Sequence, residues 1–360
     1  MNNSWILKSD KMSPKERIDR MLACKAVDHV GFFLMARGFC ARITNIPLES
    51  IYKDPARSLE AQIWTQQMYG HDQKLRFGAG CFGALEFGGE IKMPTDERGQ
   101  APFVIRHPVQ SEEDLRELRL PDVKTAGMIP LCMEFSKLQE EAGLTRTIQI
   151  GTPFTIAGEV CGIERLLRWM LKKPGFVHRI LRLVTDFCVN LSQYWVDTFG
   201  CENVELREGA PTESNQVISP DQFREFVFPY LKELHEKVLR MGVKYIYTHI
   251  CGDQNLNLSY WTEIPFGNPG IVSIGHEVEL TSAIKYFGEK CIIVGNINPA
   301  MIQIGTPLQI YELSKLCIEK GKYSPRGFIL APGCELPPLS PACNVWAMKK
   351  AINDFGWYEG

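Results

Sequence analysis

One histidine and two cysteines of this sequence have the types and spacing to bind a metal ion. His249 and Cys251 stand two positions apart at the end of an apolar run that we interpret as a strand, and Cys334 follows a later run. Alternate residues of a strand point to the same side, so His249 and Cys251 can face one point. Imidazole nitrogen and thiolate sulfur suit zinc, and three protein ligands with an open fourth position are typical of catalytic zinc sites. The alternative is a packing histidine with two core cysteines.

The order of the predicted elements indicates how these residues are positioned. From residue 147 onwards, short apolar runs alternate with longer amphipathic segments. The predicted strands are 147–151, 203–206, 244–250, 270–274, 291–295 and 327–330, and the predicted helices are 163–199, 220–241, 280–287 and 307–320. Alternation of this kind implies a parallel sheet with right-handed crossovers.

Two architectures fit this order, an open doubly wound sheet and a closed barrel. Nearly every predicted strand ends in a polar or Gly/Pro motif. In a closed barrel all these ends converge on one face, whereas an open sheet concentrates function at one switch point. We therefore predict an α/β fold of the (β/α)8 TIM barrel type.

The N-terminal part of the chain is less regular. Ser13, Pro14 and Glu16 form a capping-box pattern that predicts a helix to about residue 26. A buried strand is expected at 29–35 and a second helix at 54–69, whereas 71–125 reads as short strands or an excursion. We take residues 1–360 as one barrel domain, with residues 1–27 as an N-terminal helical extension.

The composition excludes several classes of function. The 360 residues include 40 Lys+Arg and 42 Asp+Glu, and a net charge of -2 gives no bias towards nucleic acid or an anionic membrane. No apolar run reaches the roughly eighteen residues that a bilayer span needs, and no secretory signal is visible. We expect a cytoplasmic protein whose twelve cysteines stay reduced, most of them packed in the core.

From residue 147 to about 357 the sequence resembles the uroporphyrinogen decarboxylase superfamily. Within it, the chain is similar to the zinc-dependent methyltransferases that exchange methyl groups with corrinoid proteins. The matching phrases are Gly151-Thr-Pro-Phe-Thr155, Ile218-Ser-Pro220, Pro229-Tyr-Leu231, His249-Ile-Cys-Gly252, Gly295-Asn-Ile-Asn-Pro299, Gly305-Thr-Pro307 and Gly333-Cys-Glu-Leu-Pro-Pro338. The His-x-Cys…Cys triplet separates methylcobalamin:coenzyme M type methyltransferases from the decarboxylases. The resemblance thus implies Zn²⁺ bound by His249, Cys251 and Cys334.

The resemblance also implies a partner protein. The Asp-x-His-x-x-Gly signature of proteins that bind cobalamin with its base displaced does not occur in this sequence. The methylcobalamin or other corrinoid is therefore expected on a separate corrinoid protein. A homodimer is also compatible with the sequence.

The sequence departs from both branches of the superfamily. The decarboxylases carry Met-Arg-Gln-Ala-Gly-Arg and a later Ser-Asp-Ile, whereas this chain has Met35-Ala-Arg-Gly-Phe-Cys-Ala-Arg42 and no Ser-Asp-Ile. In the methyltransferases an acidic residue can close the zinc site, but Gly275 stands at that position. His276 or Glu277 could substitute, or water or substrate could fill the fourth site. We assign both as candidate catalytic residues.

Polar residues at other predicted strand ends are candidates for contacts with the substrate. They are Arg37, Glu208, Ser214 and Asn296. Arg37 could bind an anionic group bidentately, or pair instead with a carboxylate such as Asp28. Glu208 ends a predicted strand with Glu205 and Arg207, and these three residues could line the pocket or form a salt-bridged barrel rim.

The resemblance predicts a corrinoid-dependent methyltransferase, which moves a methyl group between a small molecule and the cobalt of the corrinoid protein. Zinc bound to a thiol would favour a thiolate that attacks the cobalt-bound methyl group. Zinc bound to the oxygen of a methyl ether or alcohol would instead assist attack by cob(I)alamin. The triplet favours the thiol acceptor. The alternatives are a uroporphyrinogen decarboxylase-type lyase and a non-catalytic barrel that binds a corrinoid protein or a thiol.

Overall fold

Seven parallel strands form the central sheet, in the order β1-β9-β8-β7-β6-β5-β4, and β2 and β3 form a separate antiparallel hairpin. The structure is a computed structural model that describes residues 7–78, 80–95, 99 and 101–358. The strands are β1 (Gly31–Phe32), β2 (Glu90–Lys92), β3 (Phe103–Arg106), β4 (Arg146–Gly151), β5 (Val204–Ala210), β6 (Ile246–Ile250), β7 (Gly270–Ile274), β8 (Cys291–Ile297) and β9 (Phe328–Pro332). Each parallel strand from β4 to β8 pairs with the next one along the chain, and β9 pairs with β1.

Helices connect the strands and cover the outside of the sheet. They are α1 (Pro14–Leu22), α2 (Gly38–Ile43), α3 (Ser50–Lys53), α4 (Pro55–Tyr69), α5 (Glu112–Glu117), α6 (Ile129–Glu141), α7 (Pro153–Cys161), α8 (Ile163–Lys172), α9 (Pro174–Phe199), α10 (Pro220–Gln222), α11 (Phe228–Arg240), α12 (Leu258–Trp261), α13 (Leu280–Phe287), α14 (Pro299–Ile304), α15 (Pro307–Gly321) and α16 (Ala342–Phe355). Within the described residues, none of them is long and apolar enough to cross a membrane.

The sheet closes through a segment that forms no strand. The N–H of Asp72 donates to the carbonyl of Phe32 on β1 over 2.7 Å, and the N–H of Phe32 donates to Asp72 Oδ2 over 2.8 Å. Three residues later the carbonyl of Leu75 accepts a hydrogen bond of 3.1 Å from the hydroxyl of Thr147 on β4. Residues 72–75 therefore bridge the two edge strands. The predicted α/β barrel is confirmed, with this segment in the place of one strand.

Alternate residues along each strand divide between the barrel interior and the helix layer. The interior cluster contains Phe33, Tyr245, Tyr247, Ile271, Ile292, Val294, Ile329 and Ala331. The strand residues that pack against the helices include Leu206, Ile246, Ile250, Val272, Ile293 and Leu330. Interior positions of β6 are therefore odd-numbered. His249, in phase with Tyr247, is directed into the barrel near the carboxyl ends of the strands.

The N-terminal elements are shorter than the sequence predicts. Helix α1 ends at Leu22 rather than near residue 26, and Cys24 adopts a left-handed conformation with φ 53°. Strand β1 covers two residues instead of seven. Beyond it, the N–H of Met35 donates to the side chain of Gln73 over 2.6 Å rather than to a neighbouring strand. The side chain of Gln73 thus accepts the hydrogen bond that a neighbouring strand would accept if β1 continued to Met35.

One predicted helix is interrupted. Residues 220–241 form α10 and α11 with a π-helical turn at Phe223–Val227 between them. The N–H of Phe228 donates to the carbonyl of Phe223, five residues back. Pro229 has no N–H, so the usual bond to a carbonyl four residues back is missing at this point.

Candidate metal centre

His249, Cys251 and Cys334 lie together at the end of the barrel where the strands finish. His249 is on β6, Cys251 follows the last residue of β6, and Cys334 lies two residues beyond β9. One ligand atom of each residue lies within 4.8 Å of the other two. The two Sγ atoms are 3.7 Å apart. A disulfide would need about 2.05 Å, whereas two thiolates about 2.3 Å from a tetrahedral zinc ion lie roughly 3.8 Å apart.

The imidazole of His249 has one nitrogen bonded and one free. Nδ1 lies 3.0 Å from the hydroxyl oxygen of Ser273, and that hydroxyl lies 3.8 Å from Met35 Sδ. If the hydroxyl donates to the sulfur, its oxygen accepts from the Nδ1–H of His249. Nε2 is buried and has no hydrogen-bond partner among the described residues. A buried nitrogen without a partner is costly, and a lone pair on Nε2 suits a metal ligand.

The two thiols influence each other strongly. A hydrogen bond from Cys251 lowers the pKa of Cys334, and the nearby His249 lowers it further. The same hydrogen bond, followed by burial, raises the pKa of Cys251. Without a cation the two sulfurs resist carrying two negative charges, because adjacent thiolates repel each other. A divalent cation would favour the form in which both thiols are deprotonated. The donor set and its spacing fit zinc.

Glycines allow the surrounding loops to approach the metal group closely. At Gly252, where φ is +72°, an added Cβ would lie 3.0 Å from the Cβ of Ser214. At Gly275 an added Cβ would lie 2.8 Å from the backbone nitrogen of Gly252. At Gly275 the space that a side chain would need is therefore taken up by the backbone of Gly252.

His276 and Glu277 stand beside this contact. Nδ1 of His276 lies 3.3 Å from Oε2 of Glu277, and the two side chains are 36% and 30% exposed. Oε2 of Glu277 lies 2.6 Å from the point where a Cβ on Gly275 would be. Neither belongs to the group formed by His249, Cys251 and Cys334. Their assignment as catalytic residues stays a prediction.

Arg37 and Asn296 hold loops together at this end of the barrel. Arg37 pairs with Glu335 over 2.6 Å, next in sequence to Cys334. The prediction that Arg37 could pair with a carboxylate such as Asp28 is wrong for Asp28. Asp28 instead binds Arg17 of α1 over 2.7 Å. The amide of Asn296 donates to the carbonyls of residues 275 and 278 over 3.0 and 2.8 Å.

Ser214 and Glu208 are both fully buried, at 2% and 1% exposure. The hydroxyl oxygen of Ser214 accepts from the N–H of Gln216 over 3.1 Å, beneath Gly252. The prediction that Glu208 lines the pocket is wrong. Its carboxylate accepts from Thr248 over 2.8 Å and lies 2.6 Å from His235 Nε2 in the helix layer. Even-numbered residues of β5 face outwards, so Glu208 does not line the barrel interior.

The sequence-based interpretation missed several interior residues. The interior position of Ser273 could have been predicted, because Ser273 lies two residues before Gly275 and alternate residues of a strand face the same side. Arg207 was not missed, because it is one of the three residues considered for the pocket lining, and the period of two along β5 directs it into the interior. Arg76 and Glu335 carried no signal, because both lie in irregular segments whose path depends on the closed barrel.

Comparison with known proteins places the chain in a family. The sequence model of the family "Uroporphyrinogen decarboxylase (URO-D)" matches residues 13–355. The chain therefore belongs to this family, and the resemblance stated from the motifs is confirmed.

Among its relatives are methyltransferases. The methylcobamide:CoM methyltransferase MtbA of Methanosarcina acetivorans is 25% identical over 352 residues, which cover 95% of this chain and 98% of the relative. The methylcobamide:CoM methyltransferase MtaA of Methanosarcina barkeri is 26% identical over 273 residues, covering 74% and 75%. A solved methyltransferase structure from Methanosarcina mazei superposes with a TM-score of 0.80 at 22% identity, covering 96% of this chain and 99% of that one. The superposition on this solved structure supports the barrel fold.

Proposed function

We propose that this protein is a zinc-dependent methyltransferase, which moves a methyl group between a small molecule and the cobalt of a corrinoid on a separate protein. The observation that carries the proposal is the group of His249, Cys251 and Cys334 at the open end of the barrel, where Nε2 of His249 has no hydrogen-bond partner among the residues that the structure describes. The printed names of two relatives, methylcobamide:CoM methyltransferases, support the same reaction. They also favour a thiol as the methyl acceptor.

Zinc bound to these three residues would lower the pKa of a coordinated thiol, so that a nucleophilic thiolate is available near neutral pH. The protein's own contribution is to hold the donor atoms in place. Ser273 fixes the ring of His249 through Nδ1. The pair formed by Arg37 and Glu335 fixes the loop that carries Cys334.

Glu277 is our candidate for the residue that accepts the proton lost by the thiol. Its carboxylate is partly exposed and lies over Gly275, which packs against Gly252, the residue after Cys251. His276, 3.3 Å from that carboxylate, could pass the proton to solvent. The open position beside the three donors is left to the thiol.

The test is a methyl-transfer assay with purified protein, methylcobalamin and a panel of thiols that includes coenzyme M, followed through the absorbance of the corrinoid. We expect thiol-dependent demethylation that is lost in Cys251→Ala. The matched control is Cys343→Ser, since Cys343 is exposed and lies outside the group. Equal activity in Cys251→Ala and the wild type would overturn the proposal. Turnover of a porphyrinogen without zinc would favour a decarboxylase, and bound zinc without any turnover would favour a binding protein.

A further inference from the structure

A groove of about 630 Å³ lies at the amino ends of the barrel strands, opposite the candidate metal centre. One wall includes residues 24–28, between α1 and β1, and the other is the loop 322–327 before β9. The metal group instead follows the carboxyl ends of β6 and β9. Since β9 has five residues, roughly 16 Å of strand separates the two ends. This cavity, the amino-end groove, is therefore separate from the metal group.

The amino-end groove carries an excess of positive charge. The cationic side chains that line it are Lys11, Arg20, Lys25, Lys322 and Arg326. Asp28 also lines it, but this carboxylate accepts from Arg17 over 2.7 and 3.0 Å and is already paired. Arg20 donates to the carbonyl of Ala26 over 2.7 Å rather than to a carboxylate. An anion that enters the groove therefore meets charges of the opposite sign.

One thiol lies in this groove beside a guanidinium. Nη1 of Arg326 donates to Cys24 Sγ over 3.0 Å. Nε of Arg326 donates to the carbonyl of Glu289 over 2.9 Å, which fixes the direction of the guanidinium. Cys24 itself is exposed. The thiol is therefore accessible to a reagent in the groove and is held next to a positive charge.

The other cysteines differ from Cys24 in burial or in surroundings. Of the twelve, all of which lie in the described part of the chain, only Cys24 and Cys343 are exposed. Burial raises the pKa of Cys40 and Cys291 to about 12, which keeps these thiols protonated and unreactive. Cys343 contacts the neutral side-chain amide of Asn344 over 3.9 Å. Cys24 is thus the exposed thiol that a cation contacts.

A second polar group of the groove points to a ligand. Ser324 lines the groove and is 7% exposed, and its hydroxyl has no hydrogen-bond partner among the residues that the structure describes. Its backbone N–H and carbonyl are already bonded to Gly321 and Gly327. A buried hydroxyl without a partner is costly. A ligand with a carboxylate would supply the missing acceptor and would also match the charge of the groove.

We propose that the amino-end groove recognises a small disulfide that carries carboxylates, and that Cys24 forms a mixed disulfide with it. The thiol of Cys24 gives its proton to solvent, and the thiolate attacks one sulfur of the disulfide. A new S–S bond forms as the old one breaks, so Cys24 is oxidised and the disulfide is reduced. The departing half leaves as a thiolate and takes up a proton from solvent. The half that stays bound presents its carboxylate to Ser324 and to the cations.

The mixed disulfide is reversible, since a small thiol in excess restores Cys24 by the same exchange. The modified fraction of Cys24 therefore follows the ratio of disulfide to thiol around the protein. Because the amino-end groove lies at the far end of the barrel, the adduct leaves the metal group open. Mixed-disulfide formation needs neither the metal nor methyl transfer, so it stands or falls independently of the proposed function.

The first test follows adduct formation on the purified full chain by intact-mass spectrometry, with peptide mapping to assign each adduct to its cysteine. Three disulfides of similar size serve as probes: dithiodipropionate is anionic, bis(hydroxyethyl) disulfide is uncharged and cystamine is cationic. For each probe the rate at Cys24 is divided by the rate at Cys343, so the intrinsic reactivity of the probe cancels. We expect this ratio to be roughly tenfold higher for dithiodipropionate than for the uncharged probe, and lowest for cystamine. Equal ratios for the three probes would contradict the proposal.

Two substitutions lower the charge of the groove. Arg326→Met removes the guanidinium beside the sulfur, and Lys25→Met removes a charge from an exposed side chain. We expect the ratio for dithiodipropionate to fall roughly tenfold in Arg326→Met and by a smaller factor in Lys25→Met. The matched control is Lys172→Met, because Lys172 is equally exposed but lies on α8, outside the groove. A ratio that both groove variants leave unchanged, or that Lys172→Met lowers equally, would overturn the proposal.

Ser324→Ala tests whether the bound half of the disulfide uses the hydroxyl. The stability of the adduct is measured at equilibrium in mixtures of 3-mercaptopropionate and dithiodipropionate. We expect it to fall about tenfold in Ser324→Ala, since one hydrogen bond to a charged group is lost. The matched control is Ser340→Ala. Ser340 is 6% exposed and its hydroxyl also lacks a partner within the described part of the chain, but it does not line the groove. Unchanged adduct stability in Ser324→Ala, or an equal loss in Ser340→Ala, would show that the groove does not bind the carboxylate as proposed.

Discussion

The sulfur atoms of Cys251 and Cys334 lie 3.7 Å apart, although 83 residues separate them in the chain. They follow β6 and β9, and two further strands lie between these in the sheet. The strands themselves cannot bring the two sulfurs together. The loops after β6 and β9 turn inwards over the strand ends, where Gly252 packs closely on Gly275 and Gly333 packs closely on the backbone nitrogen of His276. The metal group is therefore a product of barrel closure.

We predict that Cys334→Ser removes the metal. The wild type should contain about one zinc per chain, and the variant less than about one tenth of that, because a hydroxyl is a poor zinc ligand. Elemental analysis of both proteins after gel filtration measures this. Cys343→Ser is the control, because Cys343 is exposed and lies outside the metal group. Zinc retained in Cys334→Ser, or lost equally in Cys343→Ser, would contradict the assignment.

Ser273→Ala should weaken zinc binding while leaving all three ligands in place. The hydroxyl oxygen lies 3.0 Å from Nδ1 of His249, and without it the ring loses the bond that fixes its orientation. The expected loss is about 10- to 100-fold in zinc affinity. Competition with a chromogenic chelator measures the constant.

The control for this prediction is Ser314→Ala. Ser314 is equally buried, but its hydroxyl donates within α15 to the carbonyl of Ile310 over 2.7 Å. Both variants lose one buried hydroxyl, so their stabilities should change similarly. Only Ser273→Ala should change zinc affinity, and equal affinities in the two variants would show that the contact with His249 does not matter.

Most of the parallel sheet could be predicted because its strands are short apolar runs followed by polar or glycine motifs. The strand at Gly270–Ile274 was predicted with its observed bounds, and β8 extends the prediction by two residues. The elements of the N-terminal part of the chain were harder to predict. There the bonds are made by side chains such as Asp72 and Gln73, which bind β1 and the segment after it, and no periodic pattern records contacts of this kind.

The candidate site was predictable only where spacing within one strand carries information. His249 and Cys251 follow from the period of two along β6. The interior position of Arg207 follows from the same rule, and the outward direction of Glu208 is its direct consequence, since adjacent residues face opposite sides. Arg76 and Glu335 could not be found in this way, because their loops are positioned by contacts distant in sequence.

The buried ion pairs of Arg17 should be essential for stability. Arg17 is fully buried, donates to Asp28 over 2.7 and 3.0 Å and also binds Asp72, so it links α1 to β1 and to the closing segment. Arg17→Met leaves two buried carboxylates without their partner, and we expect a loss of about 3–5 kcal/mol in the free energy of unfolding. Urea titration followed by circular dichroism measures it.

Arg182→Met is the control for this prediction. Arg182 also forms two ion pairs, with Asp186 and Glu233, but its side chain is 40% exposed. Exposed pairs contribute at most about 1 kcal/mol, so this variant should remain close to the wild type. If Arg17→Met were as stable as Arg182→Met, the N-terminal helix would not be anchored by its charges.

His71 should make the protein less stable as the pH falls. Burial alone lowers the pKa of His71 from 6.5 to about 3, so the folded protein keeps this imidazole neutral. The unfolded chain binds a proton below about pH 6.5, which favours unfolding. The contribution of neutral His71 is therefore complete above pH 6.5 and is lost progressively as the pH falls towards 3. At pH 5 the loss should be about 2 kcal/mol.

His71→Gln isolates this effect, because glutamine keeps a polar side chain but does not titrate. Urea unfolding of both proteins at pH 8 and pH 5 gives the four free energies that are needed. The remaining histidines and carboxylates are common to the two proteins, so they cancel in the difference. We expect the variant to gain about 2 kcal/mol relative to the wild type between pH 8 and pH 5. Parallel pH profiles would show that His71 takes up a proton in the folded state, and hence that its burial does not exclude the charged form.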